Sequence, residues 1–422
     1  MRESFMKFKG IVAAAALGAM LVGAVSVLHV TPAQAAAAPS KAISRPVALK
    51  LQAAQKAIQA GNFPVGLADL DQVSGMPAAH KSPYAMHILN QLYVFAYEKT
   101  HNYPKLAPKL EALLSDTYVT AAQTQQFTVA LAQIYYQLHN YPKAVQYGTE
   151  ALQKHYAGAA MQTLVGQAYY LQGNWKQTIA YERGIANAAI KAGQKPSKQS
   201  LQLIQSSCMK VHDQACLLNA LEQLVVYYPQ RQYWQYLLFQ TFKSVKSDAN
   251  LLEAYRLAFE VGVMQQAHEF TSYAELAIEA GSPGEAELVL NSALKNNVFT
   301  NPHQKAKAER ILQDAEKRAA SDQKTLSHTA ELAAKQAKGD SEIRVGVAYY
   351  GYQHFHKAVQ MFTQGIAKGG LTRPAEAHLL LGIAQLKAGN KAAALNAFNS
   401  VKGDPTLQRL AELWSLKAKS AG

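Results

Sequence analysis

The sequence lacks the motifs on which most enzyme chemistry depends. It contains no Gly-rich phosphate loop, no nucleophile elbow and no paired-carboxylate pattern. Charged residues make up only 17% of the chain, and its 42 lysines and arginines form no run dense enough to predict a nucleic-acid-binding stripe. We therefore expect no catalytic residue, no cofactor, no metal site and no nucleic-acid partner.

Cysteine is nearly absent, with 2 in 422 residues. Cys208 and Cys216 flank a predicted turn at His212-Asp213, one on each helix of a hairpin. An oxidising compartment permits a disulfide between them, but a disulfide needs a narrow geometry, so two buried free thiols are an equal alternative. Neither cysteine lies in a Cys-x-x-Cys motif, which argues against a redox role.

Only one long apolar run is present, and it lies at the N-terminus. A basic start (residues 2–9) precedes an uncharged Ala-rich stretch (11–30), and Ala33-Gln34-Ala35 supplies a small-x-small cleavage site. This pattern predicts a cleaved signal peptide over residues 1–35, a disordered Ala/Pro/Ser-rich lead-in over 36–46, and a periplasmic mature chain without a transmembrane segment. Retention of the N-terminal stretch as an anchor is the alternative, since about 20 apolar residues can span a bilayer.

A repeat runs through the rest of the chain. Equivalent residues recur 34 positions apart in its first half and 36 apart near the C-terminus. The pairs are Tyr135 and Tyr169, Asn140 and Asn174, Tyr147 and Tyr181, then Gly346 and Gly382, Ala358 and Ala394, and Phe362 and Phe398. A period of this length is typical of stacked helical hairpins. We therefore predict an all-α fold of about nine or ten hairpins, with no strands.

A short turn formula accompanies the period. The string His-Asn-Tyr-Pro-Lys occupies residues 101–105 and again 139–143, and related strings begin at Gly61 and Gly173. In this formula Gly or His ends the first helix, Asn tolerates left-handed backbone and caps the next helix, and Pro suits the first helical turn. The strings therefore predict the hairpin turns directly.

The pattern divides the mature chain into three parts. A solenoid is predicted over residues 47–300 and clear repeats over 341–422, with a final capping helix at about 407–419. Residues 301–340 are charged and lack the aromatic pattern, which predicts a charged helical hairpin or a linker. The hairpin is favoured because Ala286 and Ala358 are 72 residues apart, two periods of 36.

These residues resemble the tetratricopeptide-repeat (TPR) superfamily over nearly all of 49–419. The resemblance implies a TPR-like α-solenoid, a right-handed superhelix whose concave face binds peptides or proteins. More narrowly, three stretches look like periplasmic TPR proteins associated with proteobacterial TonB/Exb systems. They are residues 161–170, Tyr228-Pro229 with Tyr233-Trp234, and residues 365–371.

The resemblance also implies which residues face a ligand, because in that family they lie on the first helix of each hairpin. Carried onto this sequence, the partner-binding residues are Phe95, Gln133, Tyr136, Thr163, Gln167, Tyr170 and Gln202. Amide side chains can both donate to and accept from an extended peptide backbone, and tyrosine adds apolar area with a polar tip. The Lys/Asn/Arg clamp by which some family members grip a C-terminal carboxylate is absent.

The function expected from these observations is that of a periplasmic scaffold. It would bind a protein or peptide partner in the cell envelope, and the narrower resemblance implies TonB/Exb components as partners. The alternative is an accessory protein that binds envelope polysaccharide or peptidoglycan, because a chain with a formal charge of +14 is attracted to anionic polymers.

Overall fold

The computed structural model describes residues 41–420, which form twenty α-helices and contain no β-strand. The predicted signal peptide, residues 1–35, lies outside the described residues, as do residues 36–40. The described residues divide into two compact units, the first ending at Glu182 and the second beginning at Arg183. Within the described part of the chain, no helix is both long and apolar enough to cross a bilayer.

The first unit is a series of antiparallel helical hairpins. Its helices are α1 (Arg45–Gln59), α2 (Phe63–Gly75), α3 (Pro83–Lys99), α4 (Tyr103–Leu114), α5 (Ala121–Gln137), α6 (Tyr141–Gln153) and α7 (Ala159–Leu171), and α8 (Trp175–Lys191) contains the division between the units. Each helix packs on the next, so α2 contacts α3, α4 contacts α5, and α6 contacts α7. Leu70, Leu110 and Ile134 are fully buried at these contacts. The predicted all-α, TPR-like fold class is confirmed.

The hairpin turns follow the predicted formula with one change in the roles of its residues. Asn62, Asn102 and Asn140 each cap the following helix, accepting a hydrogen bond from a backbone N–H three residues on. The left-handed conformation, however, belongs to the residue before each asparagine. His139 has φ of 56°, whereas Asn140 has φ of −86°. The histidine therefore takes the position that glycine holds in the Gly61 turn.

The start of the described chain differs from the prediction of a disordered lead-in over residues 36–46. Helix α1 begins at Arg45, and Pro46 suits its first turn. The hydroxyl of Ser44 donates to the carbonyl of His80 at 2.8 Å, and that of Ser82 donates to the carbonyl of Ala42 at 2.5 Å. Residues 41–46 are therefore held by a loop near residue 80, a long-range contact that composition alone does not indicate.

The second unit contains twelve complete helices. They are α9 (Lys198–Lys210), α10 (Gln214–Tyr227), α11 (Arg231–Phe242), α12 (Asp248–Glu260), α13 (Ala267–Glu279), α14 (Pro283–Lys295), α15 (Pro302–Ala334), α16 (Asp340–Gly351), α17 (Phe355–Lys368), α18 (Pro374–Lys387), α19 (Lys391–Asn399) and α20 (Pro405–Ser420). Hairpins form from α9 with α10, α13 with α14, α16 with α17, and α18 with α19.

One helix replaces the hairpin or linker predicted over residues 301–340. Helix α15 runs without interruption for 33 residues and packs on α13, α14 and α16. No glycine or proline occurs between Pro302 and Gly339 to break it. Its buried residues keep a single stripe, namely Ala308, Ala315, Ala319, Leu326 and Ala333. This spacing of seven and four residues predicts one continuous helix. The 72-residue distance between Ala286 and Ala358, interpreted as two repeats, favoured a hairpin instead.

The last helix does more than cap the last hairpin. Helix α20 packs on α18 and α19, as a capping helix would, and also on α10, α11 and α12. Asp404, just before α20, accepts a hydrogen bond from the amide of Asn250 at 3.0 Å, although the two are 154 residues apart. Helix α20 therefore contacts both early and late helices of the second unit.

Cys208 and Cys216 are joined as a disulfide, with their Cα atoms 5.6 Å apart. The bridge links α9 to α10 across the turn at His212, which has φ of 56°. Of the two alternatives that the sequence left open, the structure therefore has the bridged one.

We expect no free thiol in the oxidised protein, and two after reduction in denaturant. A loop closed over a separation of eight residues stabilises by about 2–3 kcal/mol through the restricted unfolded chain. Reductant should therefore lower the urea midpoint of the wild type and leave that of Cys208→Ser/Cys216→Ser unchanged. Two titratable thiols without reductant would contradict the bridge.

Candidate functional site

Six of the seven predicted partner-binding residues lie on the first helices of hairpins in the first unit. We call them the amide–aromatic strip: Phe95 on α3, Gln133 and Tyr136 on α5, and Thr163, Gln167 and Tyr170 on α7. Thr163 is exposed and the other five are half-buried. The strip carries no formal charge, so contacts with a ligand there depend on hydrogen bonds and apolar area.

The centre of the strip is a hydrogen bond between successive hairpins. The phenol of Tyr136 donates to the side-chain oxygen of Gln167 at 2.9 Å. Burial, with a smaller contribution from Tyr141, raises the pKa of Tyr136 above 10, so this phenol keeps its proton at neutral pH. The bond orients the Gln167 amide and leaves its NH₂ group as a donor. Gln133 forms no side-chain hydrogen bond among residues 41–420.

Aromatic side chains from the hairpin turns hold the two tyrosines in place. The ring of Tyr141, the first residue of α6, meets Tyr136 edge-on at a centroid distance of 5.7 Å. Trp175, the first residue of α8, meets Tyr170 in the same way at 4.9 Å. Edge-to-face pairs of this kind are worth about 0.5–1.5 kcal/mol beyond their buried area. The aromatic residue of the turn formula therefore stiffens the strip, a role that the sequence analysis did not assign.

The remaining two strip residues are not joined to the Tyr136–Gln167 pair. The hydroxyl of Thr163 donates to the carbonyl of Ala159 on its own helix at 3.1 Å. The ammonium of Lys99 lies 5.6 Å from the centre of the Phe95 ring, as in a cation–π contact. Phe95 and Thr163 thus lie on the predicted helices, and these two contacts are with residues of their own helices.

Gln202, the seventh predicted residue, belongs to the second unit. It lies on α9, and its amide donates to the phenol of Tyr233 on α11 at 3.3 Å. The separation of 31 residues equals that between Tyr136 and Gln167. Gln202 therefore takes part in an amide–tyrosine bond within its own unit, with the roles reversed: here the glutamine comes first in the chain and donates.

A charged network lies between the second helices of the first unit. The Lys143 ammonium donates to Glu111 at 2.7 Å and to the Tyr135 phenol at 3.0 Å, and Tyr147 donates to Glu111 at 2.9 Å. Burial would raise the pKa of Glu111, but the hydrogen bonds from Lys143 and the two tyrosines outweigh it and hold that pKa below its usual value. The network links α4 to α6, and these two helices pack against α3, α5 and α7, which carry the strip.

The sequence analysis missed a buried ionic cluster in the second unit. The Arg256 guanidinium on α12 donates to both oxygens of Glu285 on α14, at 2.8 and 2.7 Å, and also to Glu253. The phenol of Tyr273 donates to Glu285 at 2.7 Å. Arg256, Glu253 and Glu285 are each no more than 3% exposed.

The two carboxylates of this cluster are shifted in opposite directions. Burial would raise the pKa of Glu285, but Arg256 and the hydrogen bonds to it outweigh burial and hold the pKa low. Burial raises the pKa of Glu253 to about 7, since Arg256 offsets it only in part. Among residues 41–420, Glu253 Oε2 is buried without a hydrogen-bond partner. No group of His, Cys, Asp and Glu in this part of the chain could hold a metal ion.

The stacked helical hairpins define an all-α helical-repeat fold. No protein-family model matches the chain, and no curated protein matches it. Its fold assignment rests on its own helices and their packing.

Among solved structures, the chain is similar to the structure of Naa15/Naa10 bound to HypK-THB, at 14% identity and a TM-score of 0.38. That match covers 87% of this chain but only 60% of the other. It is also similar to a tetratricopeptide repeat protein from Parabacteroides merdae, at 13% identity and a TM-score of 0.22, covering 70% and 99% of the two chains. The P58(IPK) TPR domain matches at 11% identity and a TM-score of 0.21, covering 89% and 99%.

Proposed function

We propose that this protein is a non-catalytic scaffold that binds an extended segment of a partner protein along the amide–aromatic strip. The observation that carries the proposal is the hydrogen bond from Tyr136 to Gln167. It links two successive hairpins and leaves the Gln167 NH₂ group available, so the strip offers oriented donors without a net charge. The turn aromatics Tyr141 and Trp175 hold the rings beside it.

The chemistry of the strip favours a peptide backbone as the ligand. Gln133 and Gln167 each carry donors and an acceptor, which suits the alternating carbonyl and N–H groups of an extended chain. Tyr136 and Tyr170 supply apolar contact with little loss of side-chain entropy. Because the strip residues are neutral, its affinity for the partner should change little with salt.

The proposal extends to a place in the cell. The basic, apolar and small-residue pattern of residues 1–35 supports export to the periplasm. The three TonB/Exb-like stretches are the sole support for the narrower form, in which the partner belongs to such a transport machine. A polysaccharide or peptidoglycan ligand is the competing function, and its signature would be binding to a purified polyanion that weakens steeply with salt.

Site-specific photo-crosslinking tests the strip. A photo-reactive residue at Gln133 should capture a discrete partner in intact cell envelopes, whereas one at Gln146, exposed on α6, should not. With that partner purified, Tyr136→Ala/Gln167→Ala should weaken binding by about tenfold or more, because it removes both the ring and the amide. Titration by calorimetry measures the change.

Gln146→Ala is the matched control for this variant, and it should bind as the wild type does. Equal capture from Gln133 and Gln146, or unchanged affinity in the double variant, would exclude the strip as the binding surface.

A further inference from the structure

Helix α20 is packed in the second unit as a bound amphipathic helix would be. Its buried residues include Leu407, Leu410, Trp414 and Ala418, at positions i, i+3, i+7 and i+11. These residues form one apolar face, and the helix packs on α10, α11 and α12 as well as on α18 and α19. The same spacing of anchors is found where a helical ligand lies in the groove of another protein.

Charge complementarity accompanies the apolar face. The guanidinium of Arg409 pairs with Glu222 on α10 at 2.8 Å, and the ammonium of Lys417 lies 3.8 Å from Glu260 at the end of α12. Helix α20 thus supplies the basic partner of Glu222 on α10, and it shares Glu260 on α12 with Lys387 of α18. A ligand for this surface would need both the apolar spacing and the basic residues.

The seating of α20 is incomplete. The indole N–H of Trp414 is buried without an acceptor among residues 41–420, so the seated helix leaves one hydrogen bond unmade. A cavity of about 380 Å³ opens beside the helix and is lined by Glu222, Phe398, Arg409 and Ser415, among others. The unmade hydrogen bond lowers the free energy needed to displace the helix, and the cavity lets solvent reach the edge of its seat.

The connection to α20 is short and contains a sharp turn. Residues 400–404 join α19 to α20, and Gly403 has φ of 87°, a conformation that other residues rarely adopt. A tethered segment acts at a high effective concentration, on the order of millimolar for short flexible connections. An external helix of similar affinity would therefore find the surface occupied in the intact protein.

We propose that α20 is a displaceable internal ligand, a C-terminal latch, that occupies a helix-binding surface on α10–α12. The external ligand of that surface is an amphipathic helix from a partner protein, with apolar residues at i, i+3, i+7 and i+11 and basic residues that meet Glu222 and Glu260. The proposal goes beyond the peptide-binding strip, because it concerns a different surface in a different unit and does not depend on it.

The test uses the full chain and a fluorescent synthetic peptide with the sequence of residues 404–420. The variant Arg409→Glu/Lys417→Glu weakens the latch while leaving the surface on α10–α12 intact. Fluorescence anisotropy should show that it binds the peptide at least about tenfold more tightly than the wild type, because the competing internal helix is less populated. A peptide with the same two reversals should bind neither protein measurably.

The matched control is Arg318→Glu/Lys305→Glu, which reverses two exposed charges on α15 in the same unit. It should bind the peptide as weakly as the wild type. If the latch variant also binds no more peptide than the control, the proposal is overturned.

A second version of the chain guards against loss of folding. It carries a protease site after Gly403, so that α20 can be cut free in the folded protein. The cut chain should keep its far-ultraviolet circular dichroism and exchange α20 for the labelled peptide. Failure to exchange, or loss of the helical signal in either the cut chain or the latch variant, would make α20 a fixed core element and overturn the proposal.

Discussion

Replacing Arg256 with methionine should lower the free energy of unfolding of the second unit by about 3–5 kcal/mol. The change leaves Glu253 and Glu285 buried side by side without their shared cation, and an uncompensated buried charge is destabilising by that amount. Urea unfolding followed by tryptophan fluorescence is a suitable measurement, since Trp234 and Trp414, two of the three tryptophans, lie in the second unit.

The matched control for this change is Arg318→Met, on α15. Arg318 also pairs with a carboxylate, Asp314 at 2.9 Å, but both side chains are about half exposed. Removal of an exposed pair should change stability by less than about 1 kcal/mol. Comparable losses from Arg256→Met and Arg318→Met would contradict the role assigned to burial.

A triple variant separates charge from packing in the Arg256 cluster. Arg256→Met/Glu253→Gln/Glu285→Gln removes all three charges while keeping similar volumes, and it should recover part of the stability lost in the single variant. If the triple variant is as unstable as Arg256→Met alone, the loss comes from the missing guanidinium contacts and not from the stranded carboxylates.

Local signals in the sequence were sufficient for the helices and their turns. The His-Asn-Tyr-Pro-Lys strings identified the hairpin turns at 101–105 and 139–143, because a helix cap depends on residues within a few positions of each other. The sequence analysis placed the left-handed conformation at the asparagine of each string, whereas the structure has it at His101 and His139. Asparagine and histidine are both enriched in that conformation, so residue type alone does not choose between them. In α15 the stripe from Ala308 to Ala333 was available, but the assumption of a constant period concealed it.

The sequence pattern did not predict which helices distant in the chain pack together. Arg256 and Glu253 are charged residues three apart on one helix, a spacing that on its own favours a solvent-exposed pair. Their burial goes with a long-range contact, because Glu285 on α14, 29 residues later in the chain, pairs with Arg256. Helix α20 likewise has an amphipathic pattern that predicts a helix, but nothing in it indicates a seat on α10, which lies about 190 residues earlier in the chain.

For the strip, the resemblance supplied the residues but not the contacts between them. Its residues were carried over from the resemblance, and the structure places six of them on first helices of the first unit. Tyr136 and Gln167 are 31 residues apart, three fewer than the 34-residue period. The difference arises because Gln167 lies about one helical turn before Tyr170, the residue equivalent to Tyr136. Whether these residues bind a partner stays a prediction for the crosslinking experiment.

The second large effect concerns pH and has the opposite sign from that of a carboxylate whose pKa is lowered by an ion pair. Burial raises the pKa of Glu253 from 4.5 to about 7, so the folded protein binds a proton that the unfolded chain has released. The contribution of this group to stability is therefore fully present below pH 4.5 and is lost as the pH rises through about 7. A pKa change of this size corresponds to about 3 kcal/mol.

Glu253→Gln should accordingly stabilise the second unit by up to about 3 kcal/mol at pH 8, and by much less at pH 5, because glutamine imitates the protonated acid. Glu285→Gln should do the reverse at neutral pH, since the pKa of Glu285 is held low by Arg256. The charged groups near Glu253 are Arg256, Glu285, Arg373 and Glu376, and Glu253→Gln leaves all four in place. Urea titrations at both pH values measure the change in stability.

Glu309→Gln, at an exposed position on α15, is the control and should show no such pH dependence. A Glu253→Gln protein that is no more stable than the wild type at pH 8 would mean that Glu253 is ionised at little cost. The buried ionic cluster would then be a fully paired triad, in which both carboxylates depend on Arg256, and the stability of the second unit would fall in acid instead of rising.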